Sequence, residues 1–416
     1  MTSAARTRAA VLFACLCAAT VARAESLFEL TPPGEPLLAL DAHAIALAGA
    51  SEARWHLESG LPSNPAQLVA IDGVSFATVI QWRRGLRDLE GAGANWDETR
   101  QDFPAFQISA AFPRGIRFGA GYRADLRSRG AFSSTVPIDL EGNTDSYRLA
   151  FSQDGGLSRF PLSLAMPLGE RTRLGIGLNL YRGNRNQEWL FDFPNASSGD
   201  PDQGYQDRRV RRQARWHGKG LALGLQSRPL GPRAAFSLRW EAGADLEGEA
   251  RTETAGETDV ELVALSGRMP SRWALGCAFE LAKGGIASLQ WEHEAWSDYE
   301  APLPAATLQD VDRVALGLEW LLGGPSRPGH RRQPLPLRLG VRHGRWPAPD
   351  PVTGGEVMET TLGLGTGIDV QSGRGSLDLA LFWQHLGVDG GAGERRFGLA
   401  LSLRTSEHWS RRTQPY

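Results

Sequence analysis

The stretch Leu335-Pro-Leu-Arg-Leu-Gly-Val-Arg-His343 decides the fold of this chain. On one side every second residue is Leu or Val, while the other side carries Pro336, Arg338, Gly340 and Arg342. This period of two predicts an extended strand with two different faces. A water-soluble sandwich would show a charged, solvated second face, whereas this second face is mostly small with occasional arginine. Such a face is typical of a strand that lines a lumen.

The same alternation recurs along the chain, for example at 315–320 and 377–384. Fourteen such segments can be traced, an even number that suits a single-chain outer-membrane barrel. The rising segments are 67–82, 115–125, 172–182, 233–242, 284–296, 334–345 and 374–386, and the descending ones are 104–112, 146–168, 219–228, 258–281, 312–322, 360–370 and 396–405. Breaks at 153–159 and 266–271 would give sixteen if each half were counted. The sequence thus predicts an all-β fold, a transmembrane antiparallel β-barrel of 14 strands within a range of 12 to 16.

Composition agrees with a barrel and argues against a nucleic-acid-binding protein. The chain has 416 residues, with 49 Gly and 13 Trp, and a formal net charge of −2. Its length exceeds the usual single-core limit of about 250 to 300 residues unless the fold is a barrel or a solenoid. The strong basic excess of a nucleic-acid binder is absent. Six tryptophans near strand ends are typical of an aromatic girdle at the membrane interfaces: Trp82, Trp240, Trp296, Trp320, Trp383 and Trp409.

The first residues indicate export from the cytoplasm. Arg6 and Arg8 precede an apolar run, and Ala22-Arg-Ala24 is typical of a cleavage site, so residues 1–24 are predicted to be a secretory signal peptide. The apolar run is shorter than the roughly 20 residues that a membrane helix needs. With Cys15 and Cys17 removed, Cys277 is the one remaining thiol and no internal disulfide is expected. The predicted location is the cell outer membrane of a Gram-negative-type cell, as a multi-pass β-barrel.

Residues 25–66 show no alternation and are predicted to form a plug inside the barrel. They contain a small-residue stretch of helical propensity, residues 42–51, and the turn Pro62-Ser-Asn-Pro-Ala66. Their apolar side chains, Ile45, Leu47, Leu57 and Leu61, favour burial over a flexible tail. The predicted organisation is therefore a signal peptide (1–24), an N-terminal hatch (25–66), a β-barrel (67–409) and a C-terminal tail (410–416).

The segment Asp41-Ala-His-Ala-Ile-Ala-Leu-Ala-Gly-Ala50, followed by Ser63-Asn-Pro-Ala66 and the first strand, resembles the hatch of FadL-type outer-membrane transporters of long-chain fatty acids and other hydrophobic compounds. Downstream, the stretches 269–276, 289–297, 314–320 and 337–342 resemble the second-half strands of that family in order and spacing. The chain departs from the family at His43, where many members have Arg, and at Arg54-Trp-His-Leu-Glu58, which replaces an acidic pair. The resemblance covers nearly the whole mature chain.

The resemblance implies a passive diffusion channel for hydrophobic molecules such as long-chain fatty acids or hydrocarbons. Cargo would enter from the outer loops and leave past the hatch or sideways through a kinked wall strand. Asn64, Pro65 and Ala66 match the family motif, and Gly49 and Ala50 match more loosely, so these five are the expected hatch and gating residues. No cofactor, metal or nucleic acid is expected, and the protein is expected to be a monomer in contact with outer-membrane lipid and lipopolysaccharide.

Two further sites follow from the alternation itself. Four inward arginines, Arg117, Arg123, Arg338 and Arg342, could meet a cargo carboxylate or could pair with plug carboxylates such as Asp41, Glu52 and Glu58, and the second interpretation is favoured. Gly119 and Gly121 could mark a kink in the third strand, because glycine weakens pairing and packing in a strand.

Two other functions remain open from the sequence. A hatch-bearing barrel could serve as a secretion or assembly partner without transporting anything. A barrel enzyme is disfavoured because the chain shows no Gly-x-Ser-x-Gly elbow and no metal-binding spacing among its histidines. Gly363-Leu-Gly-Thr-Gly367 imitates a nucleotide-binding loop, but it lies on an alternating strand with no helix after it.

Overall fold

A computed structural model describes most of the chain. The described residues are 21–23, 26–31, 33–38, 40–55, 60–89, 94–140, 143–193, 207–231, 233–257, 259–281, 284–300, 302, 307–322, 335–350, 353–370, 375–388 and 391–407. None of the helices in these ranges is both long enough and apolar enough to cross a membrane. The signal peptide up to residue 20, Glu58, Trp409 and the predicted tail 410–416 lie outside the described residues.

The strands form a closed antiparallel β-barrel of 14 strands, as the alternation predicted. Its strands are β3 (Val74–Leu89), β4 (Ala94–Ala111), β5 (Arg117–Arg127) with β6 (Gly130–Leu140), β7 (Asn143–Leu168), β8 (Thr172–Asp192), β9 (Arg208–Ser227), β10 (Ala234–Glu241) with β11 (Ala244–Thr254), β12 (Val260–Met269) with β13 (Arg272–Glu280), β14 (Gly285–Glu294), β15 (Val311–Leu322), β16 (Leu335–Arg345), β17 (Val357–Val370), β18 (Gly375–Val388) and β19 (Gly391–Glu407). The barrel closes where β19 pairs with β3, from Glu394 opposite Arg87 to Glu407 opposite Val74.

Three of the fourteen wall strands are interrupted, and this is why the seventeen segments β3 to β19 make fourteen strands. Segments β5 and β6 both pair with β7, which continues unbroken past both. Segments β10 and β11 likewise share β9 as their partner, and they pair in turn with β13 and β12. The break expected at 266–271 lies at Pro270 and Ser271, whereas β7 runs through the break expected at 153–159.

Several strands extend further outward than their alternation indicated. The alternation left residues 183–218 between the segments 172–182 and 219–228, but β8 continues to Asp192 and β9 begins at Arg208. Five arginines of that stretch therefore lie on β9: Arg208, Arg209, Arg211, Arg212 and Arg215. At the other end, the first barrel strand begins at Val74 and not at residue 67. Residues Pro65–Ala70 form a 3-10 helix because the side chains of Asn64 and Gln67 cap each other's backbone.

The outer wall carries a continuous apolar band. Exposed side chains at alternate positions include Leu174, Ile176 and Leu178 on β8 and Leu335, Leu337 and Leu339 on β16. Exposed apolar bands of this kind face lipid in outer-membrane barrels. Trp296 is an exception to the predicted girdle because it is fully buried inside the barrel.

Ahead of the barrel, residues 26–31, 33–38, 40–55 and 60–73 lie inside it, and we call them the luminal segment. Its elements are helix α1 (Leu27–Leu30), the two-residue strand β2 (Glu35–Pro36), helix α2 (Ala42–Ala46) and the 3-10 helix (Pro65–Ala70). Helix α2 contacts strands β16 to β19, while the 3-10 helix contacts β5, β7, β8 and β9. The segment therefore spans the lumen from one wall to the opposite wall. Before it, Val21–Arg23 form strand β1, antiparallel to Ala131–Ser133 of β6.

Candidate functional site

Inward glycines seat helix α2 against the wall. A Cβ on Gly340 would overlap the backbone of Leu47 and Ala48, and a Cβ on Gly363 would overlap the carbonyl of Ile45. No larger residue allows the backbone of the luminal segment to approach so closely. Ala50, one of the expected gating residues, is buried beside Leu47 and Ala315. The small residues that the sequence places on the lumen face of the strands thus allow the backbone of the luminal segment to pack directly against the wall.

The turn around Asn64 is seated on the opposite wall in the same way. The Asn64 side chain accepts a hydrogen bond from the Ala66 backbone (2.9 Å) and donates one to the Leu238 carbonyl (3.1 Å). Pro65 and Ala66 cover Gly175, where a Cβ would overlap their backbone. Asn64, Pro65 and Ala66 therefore join the luminal segment to strands β8 and β10. Gly49, the fifth expected gating residue, has a left-handed φ of 97° and ends helix α2 by donating to the Ala44 carbonyl (2.8 Å).

A buried ion-pair cluster holds α2 to β15 and β16. Glu319 accepts hydrogen bonds from Arg54 of the luminal segment (2.8 Å) and from Arg338 (2.6 Å). His43 lies 3.3 Å from the same carboxylate and contacts Arg54. Burial, and then the positive charges of Arg54 and Arg338, hold the pKa of His43 well below its ordinary 6.5. The imidazole is therefore neutral when the segment is docked.

Above the glycine seats, a layer of paired charges crosses the lumen. Arg239 bonds to Glu52 of the luminal segment (2.8 Å) and to Glu241 (2.6 Å), and Arg159 bonds to Glu241 (2.6 Å). On the far side Arg313 bonds to Glu294 (2.6 Å). Within this layer lies a cavity of about 120 Å³, whose wall includes seven arginines: Arg83, Arg123, Arg159, Arg239, Arg272, Arg313 and Arg342.

The arginines of this layer are already neutralised, with one exception. Six of the seven form an ion pair with a carboxylate. Arg123 is the exception within the described part of the chain, because its guanidinium bonds to the carbonyl of Pro62. A carboxylate cargo entering this layer would have to compete with partners already in place.

The four arginines singled out from the sequence are brought together only in part. Arg338 bonds to Glu319 and to Asp378 (2.6 Å each), and Arg342 bonds to Glu359, so both are paired with carboxylates of the wall. Arg117 bonds to the carbonyl of Ile71 (2.7 Å), close to the periplasmic rim, and meets Asp72 at 3.3 Å. Of the plug carboxylates named as alternatives, Glu52 pairs with a different arginine, Arg239.

Beyond the charged layer the lumen becomes apolar and aromatic. We call this region the upper chamber. Along β16 the order from the periplasmic end is Gly340, Arg342 and then Trp346, which lies just past the strand. The upper chamber contains Phe28, Leu126, Trp216, Trp296, Trp346, Val357 and Leu386, all buried. Phe28 belongs to the luminal segment and packs edge-on to Trp346, with 5.8 Å between the ring centroids.

The wall is incomplete beside the upper chamber. Strand β4 pairs with β5 from Ala105 to Ala111, but among the described pairings none joins residues 94–104 of β4 to β6. The third wall strand is itself interrupted at Ser128 and Arg129, between β5 and β6. We call this opening the third-strand gap. Leu126, at its lower edge, is a member of the upper chamber.

A short strip of the luminal segment covers the gap from inside. Glu35 and Pro36 pair with Arg127 and Leu126, and the Leu37 backbone donates to the Asp125 carbonyl (2.9 Å). Gly34 has a left-handed φ of 104°, and a Cβ there would overlap the Arg127 carbonyl. Glu35 is held by Arg83 (2.6 Å) and Arg396 (3.0 Å). Burial alone would raise the pKa of Glu35, but the charges of these two arginines lower it to about 2.

The glycines expected to kink the wall lie below the gap. Pairing between β4 and β5 is continuous across both, with Gly119 opposite Ser109 and Gly121 opposite Gln107. Gly119 instead makes room for Leu68 of the luminal segment, because a Cβ there would come within 2.9 Å of its side chain. On the other side the register of β5 with β7 skips Gly121 and Tyr122, and the third wall strand is interrupted further along, at Ser128 and Arg129.

A second aromatic surface lies closer to the outer end of the barrel, on strands β6, β7 and β8. Phe132 and Phe151 pack with 5.3 Å between their ring centroids, and Phe151 packs with Trp189 at the same distance. Leu149 is buried with them, while Tyr147, Trp189 and Phe191 stay partly exposed. This surface adjoins the upper chamber through Leu30 of helix α1, which packs against it.

Sequence reasoning missed the residues that build the upper chamber. Trp216 lies within β9, Trp296 just after β14 and Trp346 just after β16, so no local pattern relates them. Phe28 and Glu35 fall in a stretch without periodicity. The charged layer is visible in the sequence, because two pairs of charged residues lie on the lumen faces of strands: Arg239 with Glu241, and Glu292 with Glu294. Charges at neighbouring inward positions would have predicted a paired layer.

Comparisons with known proteins support the fold. No protein-family model matches the sequence, and no curated protein matches it. Solved structures do match, including a Pseudomonas aeruginosa FadL homologue (TM-score 0.63, 13% identity, 90% of this chain and 100% of that one). The toluene transporters TbuX of Ralstonia pickettii (0.58, 14%, 89% and 98%) and TodX of Pseudomonas putida (0.55, 16%, 89% and 99%) are also similar. The chain thus has the fold of FadL-type outer-membrane barrels.

Proposed function

We propose that this protein is a passive outer-membrane channel for uncharged or weakly polar hydrophobic molecules. The observation that carries the proposal is the upper chamber, a buried aromatic and aliphatic cluster inside the barrel that reaches the third-strand gap at Leu126. The similar toluene transporters have the same fold, which is consistent with such a cargo. A buried apolar molecule gains about 0.8 kcal/mol per methylene, so the chamber needs few polar contacts to hold one.

Cargo reaches the chamber from the outer aromatic surface of β6 to β8. Tyr147, Trp189 and Phe191 are partly exposed there, which gives a hydrophobic molecule a first site of adsorption. Leu30 of helix α1 lies between this surface and Phe28 in the chamber. Entry therefore requires α1 to yield, since Phe28 occupies the space that cargo would fill.

Exit is lateral, through the third-strand gap, and not along the barrel axis. Straight passage would bring an apolar molecule through the charged layer, where it would strip water and partners from buried ion pairs. Leaving even one such charge unpaired costs about 3 to 5 kcal/mol. The gap avoids this cost because it opens beside Leu126, above Arg123 and Asp125. The strip Glu35–Pro36, which we call the door, closes the third-strand gap and moves aside to open it. The rest of the luminal segment is anchored by Gly49, Ala50, Asn64, Pro65 and Ala66.

Processing of the signal peptide fits this route. Cleavage after Ala24, as the sequence predicts, removes strand β1 and leaves the Ala131–Ser133 edge of β6 without that partner. In the mature chain this edge of β6, which lies beside the gap, keeps none of its described backbone pairings.

A reversible disulfide across the door tests the route. Pro36→Cys with Leu126→Cys, in a Cys277→Ser background, places two thiols at directly paired positions of β2 and β5. Cα atoms of directly opposed residues in an antiparallel pair lie about 4.5 to 5.5 Å apart, within disulfide range. Uptake of labelled toluene by cells should fall to that of a deletion strain when the pair is oxidised, and should return on reduction.

The matched control is Arg84→Cys with Thr99→Cys, which links β3 and β4 where they are already paired. This pair should not change uptake in either redox state. Heat-modifiable mobility on gels shows that both barrels are folded. Equal uptake by oxidised and reduced door variants would rule out lateral exit, and equal uptake by the deletion strain would rule out the transport function itself.

A further inference from the structure

The outer face of β8 and β9 changes character sharply along its length. On β8 the outward residues Leu174, Ile176, Leu178 and Leu180 are followed by Arg182 and Asn184. On β9 the outward leucines end at Leu221, and Lys219, His217 and Arg215 follow. The paired register places Arg182 opposite His217 and Leu180 opposite Lys219, so the change occurs at one level on both strands.

This level matches the outer headgroup region of the membrane. Arg182 lies eight residues beyond Leu174. At about 3.4 Å per residue and a tilt of about 40°, that separation is about 21 Å along the barrel axis. The apolar band of an outer-membrane barrel is about 25 Å tall, so the basic residues lie where it ends.

The cations at this level are available to bind an anion, unlike the cations closer to the outer ends of the strands. Arg209 and Arg211 both bond to Glu188 (2.8 Å each from Nε) and are neutralised by it. In contrast, the side chains of Arg182, Arg215 and Lys219 form no hydrogen bond or ion pair within the residues that the structure describes. Guanidinium groups match phosphate geometry well and bind it with two parallel hydrogen bonds.

Two of these cations, Arg182 and Arg215, line an open groove of about 780 Å³ on the outside of the wall. One end of the groove is formed by Tyr122 and Phe160, which are apolar and aromatic. Arg182, Arg215 and His217 line its middle with Asn184, and Glu247 and Glu249 lie at the other end. The groove thus offers an apolar surface, phosphate donors and acceptors for hydroxyl groups in a row.

We infer that this groove binds a phosphorylated glycolipid of the outer leaflet. Arg182 and Arg215 take its phosphate, with Lys219 and His217 beside them. Glu247, Glu249 and Asn184 accept hydrogen bonds from sugar hydroxyls, and the acyl chains run down over Phe160 and the leucines of β8 and β9. The two glutamates lie opposite His217 and Arg215 in register but form no ion pair with them in the described chain, which leaves both signs of charge open to the ligand.

Binding of purified lipid A tests this inference. The probes are diphosphoryl lipid A and its dephosphorylated form, added to the full-length barrel in detergent and counted by native mass spectrometry. The wild-type protein should bind the phosphorylated form preferentially. Arg182→Gln with Arg215→Gln should lose about thirtyfold in affinity for it, since each surface cation near anionic lipid contributes about fivefold.

Arg209→Gln with Arg211→Gln is the matched control, because it removes two outward cations of the same wall that Glu188 already neutralises. It should keep affinity within about twofold of wild type. Equal losses in both double variants would show general charge attraction and overturn the groove. Equal binding of the two lipid A forms by the wild type would overturn the phosphate site. Toluene uptake should be unchanged in both variants, so this result stands apart from the proposed transport.

Discussion

The lower lumen and the upper chamber are built from opposite materials. The lower lumen is lined by glycine and by paired charges, and the luminal segment fills it through backbone contacts at Gly340, Gly363 and Gly175. The upper chamber is lined by large aromatic and aliphatic side chains, and one side chain of the luminal segment, Phe28, occupies it. The luminal segment is therefore held in place in the lower lumen, whereas in the upper chamber cargo can take the place of its Phe28 side chain.

This difference shows how one barrel can be both sealed and open to cargo. Backbone against glycine leaves no space for a ligand, and ion pairs such as Arg54 with Glu319 are costly to break. An aromatic chamber behind a short two-residue strand can exchange its occupant at much lower cost. Sealing and exchange are separated along the barrel axis, and each can be tested alone.

The largest effect is expected from filling a glycine seat. Gly340→Leu places a side chain where Leu47 and Ala48 lie, so helix α2 cannot dock and the lower lumen should open. Ion conductance in planar bilayers and sensitivity to large antibiotics should both rise strongly. Gly387→Leu is the control, because a Cβ at Gly387 meets nothing closer than 3.4 Å. A folded Gly340→Leu barrel with unchanged conductance would show that the glycine seats do not seal the lumen.

A smaller effect is expected from emptying the upper chamber. Phe28→Ala removes a buried ring that packs on Trp346, so cargo no longer competes with it for that space. Affinity for a hydrophobic probe should rise about tenfold, measured by quenching of tryptophan fluorescence. Phe236→Ala, on the lipid-facing side, should leave affinity unchanged. Weaker binding by Phe28→Ala would mean that the ring forms part of the cargo site.

The smallest effect concerns pH and the anchor of helix α2. His43 faces Arg54, Arg338, Arg404 and Glu319, and its pKa is depressed in the docked state. Opening restores the ordinary pKa of 6.5, so docking is fully stable above that pH and loses about tenfold in its equilibrium for each pH unit below it. Hydrogen exchange of the Ala44 to Ala50 amides, corrected for intrinsic rates, should quicken accordingly between pH 6.5 and 5.5.

His43→Gln is the control for this dependence, because it removes the titrating group and keeps a polar side chain. Burial raises the pKa of Glu52, so this carboxyl acts in the opposite direction and persists in the variant. The difference between wild type and His43→Gln therefore isolates the histidine. An identical pH dependence in the two proteins would assign the effect elsewhere.

Much of the fold was predictable because alternation is local. The fourteen strands follow from residues two apart, and the wall that the structure shows has the same number and order. The outer ends of the strands were predicted too short. Charged residues such as Arg209 and Arg211 on β9 are typical of a loop, and only their pairing with β8 shows that they belong to a strand. Residues 67–73 were assigned to the first strand because of their apolar character, which the mutual capping of Asn64 and Gln67 overrides.

The candidate site was predictable only where one residue carries a role by itself. The glycine face of β16 predicted room inside the lumen, and Asn64-Pro65-Ala66 was singled out in the turn that reaches the far wall. The pairing of Arg338 with Glu319 and Asp378 was not predictable, since the three lie on β16, β15 and β18 and meet only once the register between these strands is set. The same holds for Trp216, Trp296 and Trp346.

By itself the sequence determined the strand faces, the strand number and the small lumen lining, because each depends on side chains repeated at a spacing of two. The tertiary structure alone decided which charges meet, where the wall opens and what fills the upper chamber. These properties depend on register between strands that are distant in sequence and on a segment that folds back through the barrel. No local pattern encodes such contacts, since their energy exists only once the barrel has closed around the segment.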